Sequence, residues 1–242
     1  MTTAILRYGD RRTSYRVTLT DGLTSKILIH VHPNGLVEVE APAERDLSSV
    51  RAAVQKRARW IFDNLDSAAE GKASALPREY VSGETHFYLG HRYTLVVRAE
   101  PRSQSSVKLV RGTIEVVAPV ADRAAIRRRL LEWYRIRAME YFKRRLEDVT
   151  VRLGWLSDVP QMKLVQMQQQ WGSCSPTGII NLNPSLIRAP RHCIDYVILH
   201  ELCHLKEHNH SKKFYALLQR HDANWISTKV ELDRLAELLL ND

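Results

Sequence analysis

Cysteine is scarce in this chain of 242 residues, which contains only three. All three lie in the C-terminal half, at Cys174, Cys193 and Cys203. A small, odd number of cysteines confined to one half of a chain is not a disulfide framework. We therefore expect a reducing environment, and the cytoplasm is the default location.

Long apolar runs are also missing. Residues 1–12 have no apolar stretch of the kind found at the centre of a signal peptide, and no segment approaches transmembrane length. We expect no membrane association. Glycine-rich phosphate loops of the Walker or Rossmann kind are absent as well.

Positive charge is in excess, with a formal net charge of +9. That excess favours acidic partners such as nucleic acid or nucleotides. Much of it lies in the helix-like segment 123–145, which carries Arg127, Arg128, Arg129, Arg135, Arg137, Lys143, Arg144 and Arg145. The apolar stripe opposite consists of Ile126, Leu130, Trp133, Tyr134, Tyr141 and Phe142. The solvated face of a core helix is the simpler interpretation, and a polyanion-binding surface is the alternative.

The most informative stretch contains His200-Glu201-x-x-His204, the H-E-x-x-H pattern of zinc hydrolases. Side chains four residues apart on a helix lie on the same face, so two imidazoles at this spacing can bind one metal ion. A catalytic zinc site needs a third protein ligand and an open position for water. Glu201 has the position of the general base.

Two downstream histidines can supply the third ligand, and we prefer His210, with His208 as the fallback. If the helix continues, His208 stands about 12 Å along the axis from His200, too far for one zinc ion. His210 follows Asn209, a residue that tolerates the end of a helix. The spacing from His204 to His210 matches the third ligand of metzincins, although the glycine of that pattern is absent.

Two motifs together carry a family resemblance. The segments WGSCSPTGIINLNPSLI and IDYVILHELCHLKEHNHSKKF resemble the YgjP-like metallopeptidase family, relatives of the SprT-like zinc proteins. The resemblance implies a small zincin-like domain in which His200, His204 and His210 bind Zn²⁺ and Glu201 is the base. One departure is Gln170, where the family usually has a basic residue before the motif tryptophan.

The pattern of apolar residues predicts an α+β protein in two parts. Residues 1–120 form a β-rich region with a mobile linker near 66–77, and residues 121–242 form the zincin-like domain. Gly-x-x-Glu-Val-x-Ala-Pro occurs at residues 35–42 and again at 112–119. We therefore expect a duplicated hairpin-plus-helix unit, with both copies in one sheet. The alternative is that Val-x-Ala-Pro is simply a common sequence at the ends of strands and that the repeat has no structural meaning.

The local predictions follow from turn and helix signals. Hairpins are expected from strands 26–32 with 36–40, 87–89 with 93–98, and 107–110 with 113–117. One helix is expected through Leu47, Val50, Val54, Ile61 and Leu65. In the second part we expect strands at 162–170 and 179–182, a helix Lys212–Arg220 capped by Ser211, and a last helix Trp225–Leu240 packed through Val230, Leu235 and Leu238.

Residues 167–174 are the expected substrate edge. An edge strand can bind an extended peptide through main-chain hydrogen bonds, and Gly172 lets another backbone approach closely. Trp171, Gly172 and Ser173 are thus the candidate substrate-binding residues. The alternative is a tight turn at the end of a strand, with Trp171 in the core.

These observations favour a zinc metallopeptidase that acts on a peptide or protein substrate. One alternative is a metal-dependent hydrolase of nucleoside triphosphates such as UTP, which the basic surface would suit. Another is a nucleic-acid-binding module with a structural zinc ion.

Overall fold

The computed structural model of the chain describes residues 2–20, 27–31, 35–74, 78–167 and 170–240. Within these ranges the protein is a mixed α/β structure with three small sheets, six α-helices and one 3-10 helix. It divides into two compact units, residues 1–75 with 203–224 and residues 76–202 with 225–242. The sequence-based domain boundary near residue 120 stays a prediction.

The first sheet contains four strands in the order β1-β2-β4-β3. They are β1 (Thr2–Tyr8), β2 (Arg11–Thr20), β3 (Leu28–Val31) and β4 (Val37–Pro42). Strands β3 and β4 pair antiparallel, as predicted, and the turn residues Pro33 and Asn34 lie outside the described residues. The central pair β2–β4 is parallel. Alternate residues of β4 point inwards, and Val37, Val39 and Ala41 are fully buried.

The expected single helix after this sheet is two helices, so that prediction is wrong. Helix α1 (Leu47–Lys56) begins at Asp46, whose carboxylate accepts a hydrogen bond from the backbone of Ser49. The helical conformation is interrupted at Arg57, and a second helix, α2, spans Ala58–Ser74. Residues 66–74 of the predicted linker are helical, and residues 75–77 lie outside the described residues. A mobile linker between two domains stays a prediction.

The second set of strands forms a sheet of its own, which contradicts the expectation of one sheet. Its strands are β5 (Thr85–Tyr88), β6 (His91–Ala99), β7 (Ser106–Val110) and β8 (Thr113–Ala118). Their order is β5-β6-β8-β7 with a parallel central pair, the same topology as in the first sheet. Both predicted hairpins of this region are present. That the two sheets are copies of one unit stays a prediction.

The basic segment is part of helix α3 (Arg123–Leu153), which Asp122 caps by accepting from the backbone of Ala125. Its predicted apolar stripe is confirmed, since all six residues of the stripe are buried. Arg145 departs from the predicted solvated face: its Nε and Nη2 each lie 2.8 Å from a carboxylate oxygen of Asp195. This two-point ion pair joins α3 to the helix that carries the H-E-x-x-H motif.

The third sheet is short, with the order β10-β11-β9. Its strands are β9 (Met162–Leu164), β10 (Gly172–Cys174) and β11 (Ile180–Leu182). Strand β10 pairs antiparallel with β11, while β9 pairs parallel with it. The predicted strand at 162–170 is therefore limited to three residues. Gln168 and Gln169 of the proposed edge lie outside the described residues.

A 3-10 helix (Pro184–Arg188) leads into α4 (Arg191–Cys203), the motif helix. The turn between β5 and β6 supports this junction, because the backbone of Leu89 donates to Ile187 O at 2.8 Å and that of Gly90 to Arg188 O at 3.1 Å. A Cβ on Gly90 would lie 2.8 Å from Pro190 Cα. Only glycine fits there.

Two more helices complete the fold. Helix α5 (Lys212–His221) begins at Ser211, whose side chain accepts from the backbone of Phe214, as predicted. Helix α6 (Trp225–Leu240) has the predicted bounds, but Val230 and Leu238 are exposed, so the predicted packing stripe is wrong. Its buried side chains are those of Thr228, Leu232, Ala236 and Leu239. None of the helices in the described residues is long and apolar enough to cross a membrane.

Candidate metal centre

His200, His204 and His210 lie together on one short stretch of chain. One candidate ligand atom from each of the three lies within 4.8 Å of the others. His200 is in the last turn of α4, His204 follows the end of that helix, and His210 comes just before the cap of α5. All three side chains are half-buried. The structure brings together the three residues that the sequence proposed as ligands.

The end of α4 corrects one step of the sequence argument. The distance argument against His208 assumed a helix that continues to that residue, but α4 ends at Cys203. The backbone turns there, since the amides of Lys206 and Glu207 both donate to the carbonyl of Cys203, at 3.1 and 2.9 Å. His208 is exposed and is not in the histidine group. His210 comes close to the other two because of this turn.

Oxygen atoms hold the Nδ1 atoms of two of the rings. His204 Nδ1 lies 3.2 Å from the carbonyl oxygen of Glu207. His210 Nδ1 lies 3.1 Å from Glu40 Oε1 at the end of β4. A histidine that donates from Nδ1 to an oxygen binds metal through Nε2, and such partners fix the orientation of the ring. Sequence reasoning missed Glu40, because it lies 170 residues from His210 and no local pattern links them.

Aromatic packing holds the same two imidazoles. The ring of Phe214 stacks on His204, with centroids 4.6 Å apart, and meets His210 edge to face at 4.9 Å. Phe214 is fully buried at the start of α5. Burial and the neighbouring His210 lower the pKa of His204 to about 4. His204 is therefore neutral at pH 7, and neutral imidazole is the form that binds metal.

Glu201 is a buried carboxyl group, with only 6% of its surface exposed. Among the described residues it makes no hydrogen bond or ion pair. Loss of hydration raises its pKa to about 8. A carboxyl group with a pKa near the working pH is suited to both taking and giving up a proton.

Gly172 lies directly against Glu201. A Cβ at position 172 would be 2.8 Å from Glu201 Cγ and 2.9 Å from Oε1, closer than side chains tolerate. The sequence-based prediction assigned this glycine to the close approach of a substrate backbone. The structure gives another physical reason for it, since the missing side chain leaves the space that the Glu201 carboxylate occupies.

The other candidate substrate residues flank this contact. Trp171 is half-buried, and its carbonyl accepts from the Asn183 backbone at 2.8 Å. The Ser173 hydroxyl accepts from the Asn181 side chain across the β10–β11 pair at 3.3 Å. Within the described residues β10 pairs only with β11 and is therefore an edge strand. Substrate binding by Trp171, Gly172 and Ser173 stays a prediction.

Asn183 contacts the backbone that precedes the W-G-S-C-S motif, a role that sequence reasoning missed. Its side chain is completely buried and donates to the carbonyls of Met167 and Gln170, at 2.8 and 3.1 Å. Its Oδ1 accepts from the Ser185 backbone at 3.1 Å. One buried amide thus holds the carbonyls of Met167 and Gln170, which precede Gly172 in the chain. The Asn-Pro pair at the end of an apolar strand was the available signal.

The two cysteines near the motifs do not have the properties of nucleophiles or ligands. Burial and the charge of Glu201 raise the pKa of Cys174. Cys203 is completely buried and is not in the histidine group. A nucleophilic cysteine needs an accessible thiolate. We therefore assign neither thiol to catalysis or to the histidine group.

The donor set fits zinc. Three imidazoles are a common ligand set for catalytic zinc, which keeps a further position open. Two of the rings have the oxygen partners at Nδ1 that ligating histidines need. Glu201, a carboxyl group of raised pKa, follows His200 directly in the sequence.

Comparison with known families agrees with this geometry. The model of a family described as YgjP-like, metallopeptidase domain, matches residues 25–235. The chain belongs to this family. The resemblance inferred from the two motifs is therefore confirmed, and membership supports a metal-dependent peptidase.

Two solved structures are similar to parts of the chain. One is the metallopeptidase zymogen jannalysin of Methanocaldococcus jannaschii, at 24% identity and a TM-score of 0.35, covering 40% of this chain and 96% of that one. The other is the zymogen abylysin of Pyrococcus abyssi, at 22% identity and a TM-score of 0.36, covering 42% and 97%. No curated protein matches the chain.

Proposed function

We propose that the protein is a zinc-dependent metallopeptidase in which His200, His204 and His210 hold the metal ion and Glu201 is the general base. The observations that carry this proposal are the group of three imidazoles and the buried carboxyl of Glu201, which follows His200 directly in the sequence. Membership of a metallopeptidase family supports a peptide as the substrate.

Zinc, when bound, would polarise the peptide carbonyl and acidify a water molecule. Glu201 would take a proton from the attacking water and deliver it to the leaving amine. Its raised pKa makes the Glu201 carboxylate a stronger proton acceptor than an ordinary glutamate, and a group that titrates near neutral pH can also return the proton. His204 and His210 would be kept in place by the oxygens of Glu207 and Glu40.

The open side of β10 would hold the substrate. An extended peptide that adds to this edge is held by its main chain, whatever its side chains are. Gly172, at the start of β10, adjoins Glu201, so a peptide held here would lie close to the general base. We therefore keep Trp171, Gly172 and Ser173 as the proposed substrate-binding residues.

Apart from the excess of positive charge, no observation favours the alternatives with nucleotides or nucleic acid. Arg145, one of the cations that suggested them, is engaged with Asp195. The exposed arginines Arg127 and Arg128 remain available for a polyanion, and such binding stays a prediction.

The proposal is tested by assaying the zinc-loaded protein against a peptide library and a nucleotide panel. We expect cleavage of peptides only. Glu201→Gln should keep its zinc and lose cleavage by a factor of about 10²–10⁴, the usual contribution of a general base. Glu132→Gln, on the exposed side of α3, is the matched control and should cleave normally. Nucleotide hydrolysis that Glu201→Gln abolishes would instead support the alternative enzyme.

A further inference from the structure

A second group of metal-binding side chains lies at the other end of α4. His192 and Cys193 are in the first turn of that helix, and Glu231 is on α6. His192 Nε2 lies 2.7 Å from Glu231 Oε2. One ligand atom from each of the three residues lies within 4.8 Å of the others. This arrangement brings a nitrogen, a sulfur and an oxygen donor to one place.

We propose that His192, Cys193 and Glu231 form a second metal site, which binds Zn²⁺ or a similar divalent ion of borderline softness. Zinc accepts all three donor types, at about 2.3 Å for sulfur and about 2.0–2.2 Å for nitrogen and oxygen. A thiolate and a carboxylate together balance the two positive charges of the ion. The imidazole adds no charge, so the filled site is neutral.

The exposure of two of the three side chains gives the ion a route of entry. The side chains of His192 and Glu231 are 55% and 46% exposed, so an ion can reach them from solvent. Cys193 is completely buried beneath them. Water would complete the coordination on the solvent side, as at zinc sites with three protein ligands.

The Cys193 thiol has no other assigned role. Among the described residues it makes no hydrogen bond, so binding an ion breaks no existing interaction of the sulfur. The thiol proton is released to solvent as the sulfur–metal bond forms, because the thiolate is the ligand. The existing contact between His192 and Glu231 is replaced by two bonds to the ion.

The site would join two helices of the same compact unit. His192 and Cys193 belong to α4 and Glu231 belongs to α6, so a bound ion clamps α6 to the helix that begins the H-E-x-x-H segment. No residue is shared with the histidine group of the proposed function. The two proposals can therefore fail separately.

Cobalt(II) titration of a full-length His200→Ala/His204→Ala variant tests the site without the first histidine group. Cobalt(II) substitutes for zinc, and bonding to a thiolate produces charge-transfer absorption in the near ultraviolet. We expect about one cobalt ion per chain with this absorption. Cys193→Ser, added to the same variant, should abolish it. Cys203→Ser is the matched control, a second buried cysteine of α4, and should leave the absorption unchanged.

Two surface variants keep the test decisive if the buried Cys193→Ser change impairs folding. His192→Ala and Glu231→Gln alter exposed side chains, and each should weaken cobalt binding at least tenfold with the thiolate absorption reduced in step. Absence of thiolate absorption in the His200→Ala/His204→Ala variant would overturn the proposal and leave His192 and Glu231 as a surface ion pair only. Absorption that survives the changes at positions 192 and 231 would overturn it too.

Discussion

The two ends of helix α4 carry two groups of metal-binding side chains that differ in their surroundings. In the group at the C-terminal end, His200, His204 and His210 are half-buried, and oxygens hold the Nδ1 atoms of two rings. In the group at the N-terminal end, two of the three side chains are exposed and the third is a buried thiol. Only the first group adjoins a buried carboxyl without a partner among the described residues.

This difference separates a catalytic arrangement from a binding one. Catalysis needs ligands held in fixed orientation, an open position and a proton acceptor of suitable pKa. In the C-terminal group, the oxygens of Glu207 and Glu40 orient two of the rings, and Glu201 is the proton acceptor we propose. The N-terminal group has donors for an ion, but among the described residues the buried carboxyl is Glu201, at the other end of α4, so we assign the N-terminal group binding alone. The predictions below test this contrast.

The largest effect is expected at the third ligand. His210→Ala removes one of three proposed metal ligands and should weaken zinc binding by more than the roughly 100-fold that loss of an outer hydrogen-bond partner can cost. His208→Ala is the matched control and should change the affinity little, because its side chain is exposed. Zinc affinities from competition with a chelator decide between them, and equal losses would refute the assignment of His210.

The contact between Gly172 and Glu201 predicts the next effect. Gly172→Ala places a Cβ within 3 Å of the Glu201 side chain, which must move. We expect peptide cleavage to fall by about 10²-fold or more, in line with loss of a general base, while zinc content stays the same. Thr177→Ala, in the exposed turn between β10 and β11, is the matched control and should cleave within severalfold of the wild type.

The same experiment distinguishes other roles of the glycine. Loss of zinc or unfolding of Gly172→Ala would make the motif purely structural. Normal cleavage by that variant would mean that the position of Glu201 does not matter for catalysis.

Glu40 should contribute to the metal site from outside it. Glu40→Gln replaces the carboxylate that faces His210 Nδ1, and we expect zinc affinity to fall about 10- to 100-fold, the usual effect of such partners. Glu38→Gln is the matched control, since it lies two residues earlier on the same face of β4. If zinc affinity fell less in Glu40→Gln than in Glu38→Gln, Glu40 would not support the metal site.

The smallest effect concerns the stability of the metal-free protein. Burial raises the pKa of Glu201 to about 8 from an ordinary value of 4.5. Between these values the folded state binds more protons than the unfolded state, so stability falls as pH rises. Below pH 6.5 His204 has the opposite effect on stability. Burial lowers its pKa to about 4, so between pH 4 and 6.5 the unfolded state binds more protons and stability rises with pH. The window from about pH 6.5 to 8 therefore isolates Glu201.

Urea unfolding of the protein, kept metal-free with a chelator, measures how its stability changes with pH. The free energy of unfolding should fall by about 2 kcal/mol between pH 6.5 and 8, at about 1.4 kcal/mol per pH unit. Glu201→Gln carries no ionisable group and should lack this dependence. An equal fall in both proteins would show that other groups cause it.

Local features of the site were predictable from the sequence because their physics is local. The spacing of His200, Glu201 and His204 follows from helix geometry, and the cap at Ser211 follows from the preference of serine for helix starts. The buried stripe of α3 was predictable for the same reason. These features depend on residues a few positions apart.

The features that depend on distant residues were missed or mistaken. The Glu40–His210 and Gly172–Glu201 contacts join segments that no local pattern connects. The end of α4 at Cys203 has no glycine or proline to mark it. In α6, leucines lie on more than one face, and packing buries Leu232 and Leu239 rather than the predicted Leu235 and Leu238.

X-ray absorption at the zinc edge, on protein loaded with one equivalent of zinc, tests the central contrast most directly. The account predicts that the first zinc ion binds the histidine group, with only nitrogen and oxygen neighbours at about 2.0–2.2 Å. A sulfur neighbour at about 2.3 Å would contradict it, because the first ion would then lie with Cys193 at the other end of the helix.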